Sequence, residues 1–163
     1  MNGRAPFPEL AVRAVEADDV VRLARAFARL SPDTVYRRFF TLMPRPAPEL
    51  LRRMTVVDHD TREGLVVLDG DEIVALASWD RPVPHAAEAE VAVLVEDAWQ
   101  HRGLGRALVR MLAGRARRQG IERFTATLLS DNRAALHLAA TSGSPRWTER
   151  AGPEASVEIP LAA

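Results

Sequence analysis

The stretch Glu90-Val-Ala-Val-Leu-Val-Glu-Asp-Ala-Trp-Gln-His-Arg-Gly-Leu-Gly-Arg-Ala-Leu-Val109 constrains this chain more than any other. It reads as a buried strand, a short turn, and a glycine-punctuated loop opening an amphipathic helix. Within it, Gln100-His-Arg-Gly103-Leu-Gly105 is a Q-x-x-G-x-G loop. Glycines at that spacing let backbone amides come close to an anion at a helix N-terminus.

Charge follows the same stretch. From Arg102 to Arg123 there are seven arginines and one acid, Glu122, while the rest of the chain carries 15 basic and 21 acidic residues. A basic segment beside a glycine loop suits a phosphate-rich ligand, and an acidic remainder suits a cationic amine. A solvated helix face explains the same arginines. The net charge of zero argues against a general nucleic-acid binder. Apolar runs are too short to span a membrane, and the N-terminus lacks the apolar core of a signal peptide, so a cytoplasmic location is the default. No cysteine is present, which excludes disulfides, thiolate metal sites and a cysteine nucleophile. The four histidines (59, 85, 101 and 137) make no metal-ligand spacing, so no metal is expected.

With 163 residues, the chain fits one domain, 9–163, behind a flexible tail, 1–8. Leu10 to Val15 alternates as a strand. Asp18 or Asp19 then caps a helix with Val20, Leu23, Phe27 and Leu30 on one face. Ser31-Pro32 starts a second helix, whose Val35, Tyr36, Phe39 and Phe40 form an apolar face. Pro48 opens a short third one. Gly64 to Trp79 reads as two strands joined at Asp69-Gly70, and Ala89 to Val95 as the next. A helix from Gly103 to about Gln119 ends at Gly120. Arg123–Leu129 is a strand, Ser130 or Asp131 caps a helix to about Ser142, and 147–150 and 155–161 close the chain as two strands. This order is a single mixed α/β domain.

In that context, Q-x-x-G-x-G between strand and helix resembles the GNAT superfamily of acyl-CoA-dependent N-acetyltransferases. Asn132, eleven residues before Gly143, resembles the family's second motif. Leu30-Ser-Pro-Asp-Thr-Val-Tyr-Arg-Arg-Phe-Phe40, Val57-Asp-His-Asp60 and Ala89-Glu-Val-Ala-Val93 are similar to the catalytic domain of bacterial protein lysine acetyltransferases. That branch is often fused to cyclic-nucleotide-binding or acyl-CoA-synthetase-like domains, for which 163 residues leave no room.

The resemblance implies a GNAT fold, a mixed central sheet flanked by helices, with acetyl-CoA as acyl donor. Gln100, His101, Arg102, Gly103, Leu104, Gly105 and Arg106 would cradle its pyrophosphate. Val93, Leu94 and Val95 would pair with the pantetheine arm, one amide polarising the thioester carbonyl. Asn132 would touch the pantetheine or cap a helix. Glu90, on a strand face with Ala92 and Leu94, is an acid on a buried strand, costly unless water or a polar partner reaches it. The resemblance makes it the general base that deprotonates the acceptor amine; a strand-end glutamate facing solvent is the alternative. Two positions depart from the family. Ala139 stands where many members carry a tyrosine acid, and Ser144 where phenylalanine usually follows the glycine. The expected acceptor is a primary amine, first a protein lysine, with a small-molecule amine as the alternative. A catalytically weak acyl-CoA-binding regulatory domain stays open, as does a homo-oligomer. Asp58 and Asp60 read as turn residues or as acceptor-side charges.

Overall fold

Gly64 to Leu68 and Ile73 to Ala77 are buried at every position. Such runs belong at the centre of a sheet covered on both faces. The structure, a computed structural model that describes residues 7–162, places them so. Strands β1 (Leu10–Ala14), β2 (Arg62–Asp69), β3 (Glu72–Asp80), β4 (Glu88–Val95), β5 (Arg123–Leu129), β6 (Arg146–Ala151) and β7 (Glu154–Pro160) form one sheet. Its order is β1-β2-β3-β4-β5-β7-β6. Only β4 and β5 run parallel; the other neighbours are antiparallel. The expected tail falls largely on residues 1–6, outside the described residues; Phe7 packs edge-on against Trp99 with ring centroids 6.1 Å apart.

Five helices cover the sheet: α1 (Val20–Arg29), α2 (Pro32–Phe39), α3 (Pro48–Thr55), α4 (Leu104–Arg118) and α5 (Arg133–Thr141). Side chains alternate across a strand, and the core divides accordingly. Leu65, Val67, Ala75 and Ala77 pack with Leu104, Leu108 and Leu112 of α4 and Ala139 of α5. Val66, Leu76 and Leu94 pack with Leu23 and Phe27 of α1, Val35 of α2 and Leu51 of α3. Among the described residues no helix is long and apolar enough to cross a membrane.

The caps are set by side-chain chemistry. Ser31 Oγ accepts the Thr34 amide at 3.1 Å to start α2, with Pro32 in the first turn. Asn132, rather than Ser130 or Asp131, caps α5: its Oδ1 accepts the Ala135 amide at 3.2 Å. Tyr36 leaves the expected apolar face of α2 and is 41% exposed.

Asp19 also departs from expectation. It stands at the start of α1, but its carboxylate does not cap the helix. It accepts two hydrogen bonds from the Arg13 guanidinium at 2.7 Å each and one from the Glu16 amide at 2.9 Å. Its side chain is wholly buried. Burial alone would raise the Asp19 carboxyl. The Arg13 and Glu16 hydrogen bonds and the charges of Arg13 and Arg22 outweigh it and hold the pKa below the ordinary value. This pair fastens β1 to α1.

Asp19→Asn should therefore destabilise the domain by about 3 kcal/mol at pH 7, the scale of removing one partner from a buried pair. A depressed carboxylate stabilises the fold above its unfolded pKa, and that contribution fades as pH falls through the folded one. Urea melts should show the gap between wild type and variant closing below the ordinary value of 3.8. A gap that widens toward acid would contradict this assignment.

Candidate functional site

Strands β4 and β5 pair at only three positions: Glu88 with Arg123, Ala89 with Phe124, and Glu90 with Thr125. Beyond Glu90 they part. β4 stays with β3 to the Ala75–Val95 pair, and β5 stays with β7 to the Leu129–Glu154 pair. The result is a fork whose inner edge on β4 has no strand partner. Backbone groups alternate between the two edges of a strand. The Glu96 amide donates to the Val74 carbonyl at 2.9 Å, so Leu94 and Glu96 turn their backbone groups toward β3. Val93 and Val95 turn theirs into the fork. Leu94 is thus separated from the other two: its side chain is buried against α1–α3 and its backbone is spent in the sheet.

The fork opens beneath the glycine loop. His101 (φ 60°) and Gly103 (φ 87°) are both left-handed, which turns successive amides toward one side. Gly103 is the N-cap of α4 and offers no capping side chain. The first amides of a helix lack intrahelical partners, so those of Leu104, Gly105 and Arg106 remain free donors at the positive end of a 15-residue helix. The contrast with α2 and α5, capped by Ser31 and Asn132, is direct. The two glycines differ in role. Gly103 is needed for its positive φ. A Cβ on Gly105 would meet Leu138 Cδ2 at 3.4 Å and Val93 Cγ1 at 3.6 Å, ordinary contact distances, so a methyl group fits there. Leu104 is buried; His101, Arg102 and Arg106 are exposed. The Arg102 guanidinium lies over the Trp99 ring at 4.9 Å from its centroid.

Gln100 faces inward instead of toward an anion. Its Nε2 donates to the Val95 carbonyl at 3.0 Å and to Thr34 Oγ1 at 3.1 Å. Asp97 accepts from the Ser31 amide (3.0 Å), Ser31 Oγ (2.7 Å) and Thr34 Oγ1 (3.1 Å). Together they tie the start of α2 to the loop.

Residues paired across neighbouring strands point to the same face. Asp80, Glu90 and Thr125 therefore form a row across β3, β4 and β5 at the point of the fork. Glu90 is exposed. Solvent thus reaches this carboxylate, as the strand-end alternative allowed; its pairing with β5 ends here, while β4 stays paired with β3. Glu88, two residues earlier, is instead ion-paired with Arg123 at 2.6 Å.

Sequence reasoning missed Arg38. This half-buried side chain of α2 stacks on the Phe39 ring at 4.7 Å and makes no hydrogen bond or ion pair among the described residues. Burial lowers its pKa, and the carboxylates of Glu90 and Asp80 oppose that. It lines a 190 Å³ cleft with Phe39, Met54, Ser78 and Asp80. The signal lay inside the Tyr36-Arg-Arg-Phe-Phe40 run, weighed only for its aromatic residues. Asp58, by contrast, is a turn staple. Its carboxylate takes the Thr61 hydroxyl and the amides of Asp60, Thr61 and Arg62, which hold its pKa well below the usual carboxylate range. Ala139 is buried and offers no proton donor. Among the described residues, no group of three or more His, Asp or Glu is placed to hold a metal ion.

This architecture has known counterparts. The chain is 34% identical over 125 residues to Acetyltransferase Pat of Mycolicibacterium smegmatis, a match covering 76% of this chain and 37% of that protein. The crystal structure of the GNAT domain of S. lividans PAT superposes with a TM-score of 0.86 at 32% identity, covering 93% of this chain and 90% of that one. A cAMP-binding acyltransferase from Mycobacterium smegmatis superposes with a TM-score of 0.69 at 27% identity, covering 100% of this chain and 47% of that one. The chain thus spans little more than a third of the curated Pat relative. The profile of the Acetyltransferase (GNAT) family matches residues 25–143. By sequence match, sheet topology and the forked strands beneath a glycine-capped helix, this chain belongs to the GNAT acetyltransferase family.

Proposed function

We propose that this domain transfers an acetyl group from acetyl-CoA to a primary amine, with a protein lysine as acceptor, by direct transfer in a ternary complex. The observation that carries the reading is the fork, which joins an unpaired backbone edge, a set of free helix amides and one exposed carboxylate in a single rigid element. Its parts fit the donor's chemistry. The free amides from Leu104 to Arg106 and the guanidinia of Arg102 and Arg106 suit a pyrophosphate. The backbone of Val93 and Val95 suits the amide-bearing pantetheine arm, which would enter the fork as the strand pairing it lacks. That arm would aim the thioester at the fork's point, where an N–H of β4 would polarise the carbonyl.

Glu90 would take a proton from the arriving ammonium, directly or through water. The neutral amine then attacks the thioester carbon; a C–N bond forms and the C–S bond breaks. With Ala139 at the family's tyrosine position, the CoA thiolate leaves as the anion, and the proton shed by the new amide nitrogen passes to it or to water. Asn132 caps α5 with its side-chain oxygen, and its nitrogen has no partner among the described residues. Gln100 would act indirectly, holding α2 and the loop in register. The lysine assignment rests on the resemblance of residues 30–40, 57–60 and 89–93 to protein lysine acetyltransferases.

Glu90→Gln should lower kcat by roughly a hundredfold or more, the scale of a lost general base, with acetyl-CoA affinity unchanged. Turnover by labelled acetyl transfer to a lysine peptide and a panel of small amines, beside calorimetric acetyl-CoA binding, measures both. Near-normal turnover would remove Glu90 from the mechanism. Acetyl-CoA binding without transfer to any amine would favour a regulatory binding domain.

Arg38→Gln removes a guanidinium from the cleft that Ser78 and Asp80 line. kcat/KM for the lysine peptide should therefore fall. Acetyl-CoA affinity should not change, and an unchanged kcat/KM would exclude Arg38 from the reacting face.

A further inference from the structure

A second cavity lies away from the fork, between α4, the end of α5 and the end of β7. It has a volume of 280 Å³, near the small end of ligand-binding pockets. Its floor is apolar and reaches the core residues Phe124 and Ile159, which are 0% and 3% exposed. Its wall is held in place at Gly143, where an added Cβ would meet the Pro160 carbonyl oxygen at 3.3 Å. The next residue, Ser144, is exposed and lines the opening. Its short side chain leaves the opening unfilled.

The rim carries one sign of charge. Among the described residues Arg106, Arg110 and Arg117 line it, and no Asp or Glu does. At 3.6 residues per turn these three fall within about 40° of one another around α4. None makes a hydrogen bond or ion pair among the described residues. The α1 arginines behave differently: Arg22, Arg25 and Arg29 are each bound to carboxylates. Three like charges on one stripe repel, and an anion placed between them relieves that repulsion.

We propose that this cavity is a binding site, separate from the fork, for a small amphipathic anion: an aromatic or alkyl body on the Phe124–Ile159 floor, with a carboxylate or phosphate monoester on Arg110 and Arg117. The apolar floor excludes a bare inorganic anion as the fitting ligand, and the arginine rim excludes a neutral one. Arg106 also borders the glycine loop, so the discriminating side chains are Arg110, Arg117 and Ser144.

The test is calorimetric titration with 2-naphthoate and 2-naphthyl phosphate, in the presence of saturating acetyl-CoA, with 2-naphthamide as the neutral control. At least one anion should bind with 1:1 stoichiometry, and the amide at least tenfold more weakly. Arg110→Gln/Arg117→Gln should weaken that binding at least tenfold. Ser144→Phe should abolish it by filling the cavity, with acetyl-CoA affinity retained as evidence of folding. If Ser144→Phe does not fold, the arginine pair decides. The proposal is overturned if neither anion binds, if acetyl-CoA displaces the bound anion, if the amide binds equally well, or if the arginine substitutions leave binding unchanged.

Discussion

The separation of β4 from β5 after the Glu90–Thr125 pair is the constraint on which the rest of this molecule depends. A sheet that breaks its own ladder leaves backbone donors and acceptors without partners, and such groups are costly unless water or a ligand satisfies them. Here the exposed edge is short, and one of its carbonyls, that of Val95, is taken by Gln100. The remainder faces an opening shaped to admit an extended chain that carries its own amides. Glu90, exposed on the sheet face, is the last residue of β4 to pair with β5. Anchoring edge and carboxylate therefore meet at one point of the sheet.

The helix that follows β4 completes the arrangement by leaving its end uncapped. α2 and α5 each satisfy one N-terminal amide with a side chain, Ser31 and Asn132. α4 begins at a glycine in the left-handed region, so its free amides and dipole are available. Asp97 and Gln100 then bind the loop to α2. The helix that presents Arg38 is therefore tied to the loop that presents the amides. The cation whose charge Glu90 and Asp80 feel is set by the same contacts that hold the cofactor side.

Much of this was legible in one sequence, because strand, loop and helix signals are local. The order of elements, the β2–β3 turn at Asp69-Gly70 and the proline-opened helices depend on near neighbours. Ser31 shows how a cap can be read from three adjacent residues. What was not legible depends on register. That Glu90 lies opposite Asp80, faces Arg38 and reaches solvent follows from which strands pair and where they stop. Asp19 had the right position for a helix cap but a stronger partner in Arg13, six residues back. Gln100 had the right place in a phosphate loop, yet its side chain is consumed by Val95 and Thr34. In each case a local preference was overruled by a stronger partner that only the folded chain brings within reach.

The central claim is that the inner edge of β4 and the first amides of α4 are one continuous ligand-binding surface. Residue-resolved amide hydrogen exchange with and without acetyl-CoA tests it most directly. The account predicts that acetyl-CoA slows exchange at Val93 and Val95 together with Leu104, Gly105 and Arg106. Leu94 and Glu96, already bonded to β3, should be slow in both states. Protection confined to α4, or protection elsewhere with Val93 and Val95 unchanged, would contradict it.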